Sequence, residues 1–234
     1  MFSEISLTFI GHSAWRITHG DHDILIDPFI TGNPVATVKS ADLHPTHIIV
    51  THGHDDHLGD AVDIAKRTGA HLISTFEVGN YCEARGCGHT TGMGLGGANM
   101  FDFGRLKFTI AHHSSSASDG TYLGNPAGVL LTLGGRTIYH AGDTALFLDM
   151  KLIGEMNDID VALLPIGDYF TMGVDDAVMA VEFLKPKITI PMHYNTFPPI
   201  KVDVQDFIGK LEKKGHRGVI VDPGGAYTIG AGGA

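Results

Sequence analysis

Three histidines and two aspartates fall within positions 52–57 of the run Thr51-His52-Gly53-His54-Asp55-Asp56-His57-Leu58-Gly59, directly after the apolar stretch Ile48, Ile49, Val50. Neutral imidazole and carboxylate are donors that suit borderline divalent ions such as zinc. A strand ending just before such a run holds the first imidazole on rigid backbone, and glycines at 53 and 59 permit the sharp turn that lets the others converge. His52 and His54, followed by the adjacent Asp56 and His57, can direct two groups at one ion and two at a neighbour, so two ions are expected. The competing reading is a histidine-rich solvated turn. Against it, the chain holds 15 His, and several of the others also stand at the ends of apolar runs.

The elements that must position these groups alternate between β-like and amphipathic segments. Residues 6–10, 14–18 and 23–27 read as a meander with Gly20-Asp21 as turn chemistry. Residues 48–50 form a buried strand, 60–68 a helix with Ala61, Ile64 and Ala65 on one face and Gly69 as its stop, 72–74 a short strand and 77–85 a second helix. Leu106, Phe108 and Ile110 alternate with Lys107 and Thr109, the period-two pattern of a half-buried strand that runs into His112 and His113. Residues 129–133 and 137–139 flank Gly134-Gly135 as a hairpin leading to Gly142-Asp143-Thr144. A strand at 161–164, a helix at 175–184 stopped by Pro186, a strand at 188–192, a helix at 203–214 and a closing strand at 219–221 complete the expectation.

One regularity follows: His52, His113, Asp143 and His193 each lie just past a predicted strand, separated by enough chain for a crossover or hairpin. Strand ends on one edge of a sheet can meet, and ligand sites in α/β folds sit at such edges. A hairpin leading to Asp27-Pro28 is echoed by the one leading to Asp143-Thr144, which suggests a duplicated half.

With 234 residues the chain can bury a full core and is expected to form one domain over residues 1–234. A net charge of −10 without a basic stripe argues against nucleic acid as a partner. The amino terminus lacks the pattern of a secretory signal and no run approaches membrane-spanning length, so no membrane partner and a cytoplasmic location are expected. Cys82 and Cys87 alone make no disulfide framework and read as reduced thiols in a helix and the loop after it.

The His-x-His-x-Asp-His run, a later His, a Gly-Asp and a last His in this order resemble the metallo-β-lactamase superfamily across nearly the whole chain. Gly11-His12-Ser13, Asp27-Pro28-Phe29, His113-Ser114-Ser115, Tyr139-His140-Ala141-Gly142-Asp143-Thr144 and Met192-His193-Tyr194-Asn195-Thr196 resemble a branch of poorly characterised metal-dependent hydrolases similar to the ascorbate-6-phosphate lactonases. The resemblance implies an α/β fold, a four-layer αββα sandwich with a binuclear site at one edge between the sheets. It implies one metal on His52, His54 and His113, a second on Asp56, His57 and His193, and Asp143 bridging them. The doublet offers His112 as an alternative to His113; strand alternation lets only one point at the metals, and the family pattern places the ligand directly before the Ser-Ser. Asp27 resembles a residue that orients the ligand loop, with a turn-forming Asp before Pro28 as the competing reading.

The two divalent ions are expected to be Zn or Mn, with Fe or Ni also compatible with the donors. Such a pair acidifies a bridging water and polarises the electrophile, so hydroxide is the expected nucleophile and Asp56 the catalytic residue that ligates and aligns it. His12, His140, Asp168, Tyr194 and Asn195 are expected near the metals or the substrate, while His19, His22, His44, His47, His71, His89 and His216 read as surface or satisfied core residues. The leading function is a hydrolase of a small ester, lactone or phosphodiester, open to homo-oligomer formation. An iron-dependent oxidoreductase is the alternative; His at position 54 departs from the His-x-Glu-x-Asp pattern of the di-iron oxygen-reducing type. A nuclease is disfavoured by the acidic balance.

Overall fold

A computed structural model describes residues 4–230. The meander forms as the sequence predicts: β1 (Ile5–Gly11), β2 (Ala14–His19) and β3 (His22–Ile26) pair antiparallel. β4 (His47–Val50) joins β3 in parallel. The short helix α1 (Asp55–Leu58) and α2 (Ala61–Thr68) then lead to β5 (His71–Thr75), and α3 (Phe76–Glu83) leads to β6 (Thr90–Met93), both strands parallel to β4. The second sheet repeats this plan. β7 (Ala98–Phe101), β8 (Gly104–Ile110), β9 (Ala127–Leu133) and β10 (Arg136–His140) are antiparallel. After α4 (Met150–Met156), β11 (Val161–Pro165) lies parallel to β10, and after α5 (Val174–Leu184), β12 (Ile188–Met192) lies parallel to β11. The chain ends with α6 (Val204–Lys213) and β13 (Ala226–Ile229), which returns to the first sheet beside β1.

The result is two mixed sheets, ordered β13-β1-β2-β3-β4-β5-β6 and β12-β11-β10-β9-β8-β7, with helices outside. Alternate residues of each strand explain the layers. Ile24, Ile26, Ile49 and Ile73 face Phe108, Val129, Leu131 and Leu163 between the sheets. Their neighbours Leu25, Ile48, Val50 and Leu72 pack under Ala61, Ile64, Ala65 and Val78 of α2 and α3. On the other sheet Leu130, Tyr139, Ala162 and Leu164 pack under Ala177, Val181 and Leu184 of α5 and Phe207 and Leu211 of α6. Strands covered on both faces read as continuous apolar runs, as β4 and β11 do. This is the αββα sandwich expected from the sequence.

The expected strand at 219–221 does not form. Only a bridge links Gly218 to Thr189, since Pro223 and the Gly224-Gly225 turn follow at once and redirect the chain into β13. Among the described residues no helix is long and apolar enough to cross a membrane. Cys82 and Cys87 are free and buried, and burial pushes the Cys82 thiol up to about 12, so it stays protonated.

A candidate metal centre at one rim of the sandwich

In the first sheet β1, β3 and β4 run the same way, in the second β8, β10, β11 and β12 do, and residues just past the C-terminal ends of both sets meet at one rim. His12 follows β1, Asp27 follows β3, His52 lies two residues past β4, His113 three past β8, Asp143 three past β10, and His193 directly follows β12. There the cluster assembles. His54 Nδ1 stands 3.0 Å from His52 Nε2 and 3.3 Å from His113 Nε2. Asp143 places Oδ1 3.2 Å from His57 Nε2 and Oδ2 3.1 Å from His193 Nε2 and 3.6 Å from His113 Nε2. Asp56 Oδ2 is 4.0 Å from His193 Nε2 and 3.0 Å from His12 Nε2. All seven expected ligands thus converge, in sets that could hold metal: His52, His54 and His113; His12, Asp56, His57 and His193; and His52, His57 and Asp143. Of the doublet, His113 faces the cluster, while the His112 ring stacks on Phe147 with centroids 4.9 Å apart.

Hydrogen bonds fix which ring nitrogens of His52 and His57 face the cluster. Asp27, fully buried, accepts the Thr51 N–H (2.8 Å), the Thr51 hydroxyl (2.7 Å) and His57 Nδ1–H (2.8 Å). Because the Thr51 hydroxyl gives its proton to Asp27, it accepts from His52 Nδ1–H at 2.9 Å. One carboxylate therefore holds the Nδ1 protons of both His52 and His57, directly or through Thr51, and turns their Nε2 atoms into the cluster, where a metal ion could replace any proton that Nε2 carries. His57 Nε2, Asp143 Oδ1 and His193 Nε2 are buried with no hydrogen-bond partner. Acceptors left facing one another in a buried site are costly without a cation between them. Their spacings are also what donors about 2.0–2.2 Å from a shared ion would show, roughly 3–3.5 Å. On donor type, tautomer and spacing, these residues fit divalent metal.

The family described as Beta-lactamase superfamily domain matches residues 6–193. The chain belongs to it. A UPF0173 metal-dependent hydrolase of Thermus thermophilus is 50% identical over 220 residues, covering 94% of this chain and 97% of its own. One of Geobacillus thermodenitrificans is 53% identical over 211 residues, 88% of this chain and 93% of its own. Among solved structures, Igni18, described as a novel metallo hydrolase from the archaeon Ignicoccus hospitalis, is 36% identical with a TM-score of 0.90, covering 98% of this chain and all of that one.

In this member of the β-lactamase superfamily, burial sets most site charges. It lowers His52 far below the ordinary imidazole range and lowers His54 and His113 as well. His12 is held down at about 4, first by burial and then by His193. Burial would likewise lower His57, but Asp143 and Asp27 outweigh it and raise this imidazole well above its usual value. For Asp143 and Asp56 burial works upward and is overcome, by His193 and His57 for the first and by the His12 hydrogen bond and His57 for the second, so both carboxyls stay ionised.

The remaining expected residues divide. His12 donates Nε2–H to Asp56 and takes the Thr196 hydroxyl on Nδ1 at 2.9 Å. His140 does not reach the cluster through its side chain. Its Nε2–H donates to the Ser13 carbonyl (3.0 Å) and its Nδ1 accepts the Gly142 N–H (3.1 Å), tying the Asp143 loop to the first sheet. Asn195 accepts the Val202 N–H at 2.9 Å and shapes the loop after His193. Tyr194 lines a cavity beside His12. Asp168 forms a turn with Met172 and Thr171 and, among the described residues, joins none of the cluster's hydrogen bonds or ion pairs.

Three further contributors lie inside the quoted motifs, although residue type alone gave them no role. Thr51 relays Asp27 to His52; Ser115 accepts the Gly53 N–H (3.1 Å) and donates to the Leu123 carbonyl (3.2 Å), locking the ligand loop. Thr196 completes the His12 pair. Their place beside candidate ligands, Thr51 before His52, Ser115 two after His113 and Thr196 three after His193, is the signal that points to them.

Proposed function

We propose that the chain is a hydrolase that holds two divalent ions, zinc or manganese, and cleaves an ester, lactone or phosphodiester of a small molecule. The unpaired Nε2 and carboxylate atoms of His57, Asp143 and His193, buried in one cluster, carry this reading. His52, His54 and His113 would hold one ion and Asp56, His57 and His193 the other, with Asp143 reaching both sets. Bound there, such ions polarise a carbonyl or phosphoryl oxygen and bring the ionisation of water toward neutral pH. Asp56, about one-third exposed at its side chain, orients the attacking water from the open side, and His12 fixes Asp56. The family names of the relatives support the reaction class.

We read the whole chain as one cytoplasmic domain acting on a small molecule rather than on nucleic acid, in keeping with its net charge of −10. A cavity beside His12, walled by Phe9, Val35, Tyr194 and Asn195, gives room for a non-reacting part of the substrate. Tyr122, Leu148, Tyr169 and Phe170 stand exposed on loops of the same rim and favour a substrate with an apolar portion.

The test is a panel of chromogenic esters, lactones and phosphodiesters with zinc- and manganese-loaded protein, chelated protein and Asp56→Ala as controls. Hydrolysis that needs metal and drops by orders of magnitude in Asp56→Ala is expected. An iron-type absorption spectrum with no hydrolysis would overturn the proposal in favour of redox chemistry.

A further inference from the structure

A second group of imidazoles lies at the opposite rim. His22 opens β3, His47 opens β4 and His71 opens β5, and the register pairs His47 with His71 directly. They share strand parity with Ile24, Ile49 and Ile73, which face the core between the sheets, so the three rings end that apolar layer where a hydrophobic side chain would be expected. From the other sheet, the turn joining β7 to β8 brings Asp102 across the gap, with its Oδ1 3.1 Å from His47 Nε2. Potential ligand atoms of His22, His47 and Asp102 all lie within 4.8 Å of one another. Five residues of extended chain, about 16 Å, separate His47 from His52 of the catalytic rim.

The hydrogen bonding at His47 repeats the logic found at His52. The Thr46 hydroxyl donates to the Asp23 carbonyl (3.0 Å) and accepts the Asp23 N–H (3.0 Å), so toward His47 Nδ1, at 2.9 Å, it accepts. Nδ1 then carries the proton and Nε2 turns a lone pair toward the Asp102 carboxylate, two acceptors at 3.1 Å that need a cation between them. The ring has little freedom to turn away: Phe103 meets it edge-on at 4.7 Å and stacks in turn on Phe101 at 5.2 Å.

We propose that His22, His47 and Asp102 form a further metal site, distinct from the catalytic cluster, for a borderline divalent ion such as zinc. Two imidazoles and one carboxylate, with Asp102 largely exposed, leave coordination positions for water. The ion would join the start of β3 and β4 in one sheet to the β7–β8 turn of the other, a clamp closing the sandwich at the end away from the chemistry. With three protein donors this equivalent binds more weakly than the catalytic ions.

The test uses the full chain with its catalytic cluster intact. Wild type, Asp102→Asn and His22→Asn are dialysed against free zinc and their metal content is measured, with the thermal midpoint followed over the same zinc range. Catalytic ions enter all three proteins equally and cancel in the comparison. Wild type is expected to take up one equivalent per chain more than either variant, and zinc added beyond the catalytic equivalents should raise the midpoint of wild type only. Equal uptake by all three proteins, with circular dichroism confirming that the variants are folded, would overturn the site and leave a proton as the bridge between His47 and Asp102. His47→Gln, which removes the central donor, provides an independent second variant should either of the others fail to fold.

Discussion

His12 and Asp56, 44 positions apart in the chain, meet at 3.0 Å between Nε2 and Oδ2, with the His12 ring laid 4.0 Å from that of His193. One residue thus orients a carboxylate of the first sheet and packs on an imidazole of the second. His12→Asn keeps a residue type that tolerates the left-handed backbone here but falls short of Asp56. It should cost about 10- to 100-fold in kcat/KM or metal affinity, and the space left by the buried ring should lower the thermal midpoint as well. Steady-state kinetics and metal content check this; unchanged values would remove His12 from the machinery.

Asp27 sets the tautomer of two candidate ligands. In Asp27→Asn an amide NH2 would oppose His57 Nδ1–H, and the ring would have to move its proton to Nε2, the atom turned into the cluster. Zinc affinity should fall more than tenfold, with about 1–3 kcal/mol lost from stability for the unsatisfied donor. Competition against a chromophoric chelator measures the first and denaturant unfolding the second.

Chelation should lower the thermal midpoint reversibly. An ion present at a thousand times its dissociation constant stabilises by about 4 kcal/mol. The midpoint should recover when zinc is restored, and a midpoint indifferent to chelator would contradict a metal held by the buried cluster.

Metal-free protein should lose stability in mild acid. His12, held at about 4 against the usual 6.5, is neutral in the fold while its unfolded counterpart takes a proton. Its contribution is complete above 6.5 and is lost as pH falls toward 4, with His52, His54 and His113 acting in the same direction. His57 opposes them: raised by its carboxylates, its contribution is full below the usual imidazole range and lost as pH rises through its elevated value. Unfolding free energy of the chelated protein between pH 7 and 4 is expected to decline, by up to about 1.4 kcal/mol per unit for each imidazole. A rising curve would mean that His57 dominates.

Gly142→Ala should be strongly destabilising. At φ +62° its added Cβ would stand 2.5 Å from the Ala127 carbonyl oxygen, and the loop carrying Asp143 would have to move. A loss of at least about 2 kcal/mol is expected, with weaker metal binding; unaltered stability would show that the loop has slack.

The individual strands and the donor-rich run were legible because they rest on local patterns, while the four-layer stacking and the full candidate ligand set came from the family resemblance. Donor types at 52–57, and strands with apolar residues on alternating or both faces, declare themselves in sequence. What escaped depended on neighbours. α4 contains Gly154, poor for a helix in isolation, yet its Cβ would strike the Phe183 carbonyl at 2.4 Å, so glycine is what lets α4 approach α5. β6 and β7 are short edge strands of weak pattern, and β13 exists because β1 offers it a free edge. His22, His47 and His71, read separately as unremarkable, become a row only when β3, β4 and β5 align.

Three side chains of the catalytic rim, His12, Asp27 and His193, sit on left-handed backbone with φ of 62°, 47° and 53°. Besides glycine, the residues that accept this conformation most readily are Asn, Asp and His, which are themselves oxygen or nitrogen donors. Glycine apart, a substitute that fits the main chain at positions 12, 27 and 193 without strain is therefore one that keeps some capacity to ligate or hydrogen-bond, so at these three places backbone shape and side-chain chemistry select for the same few residues.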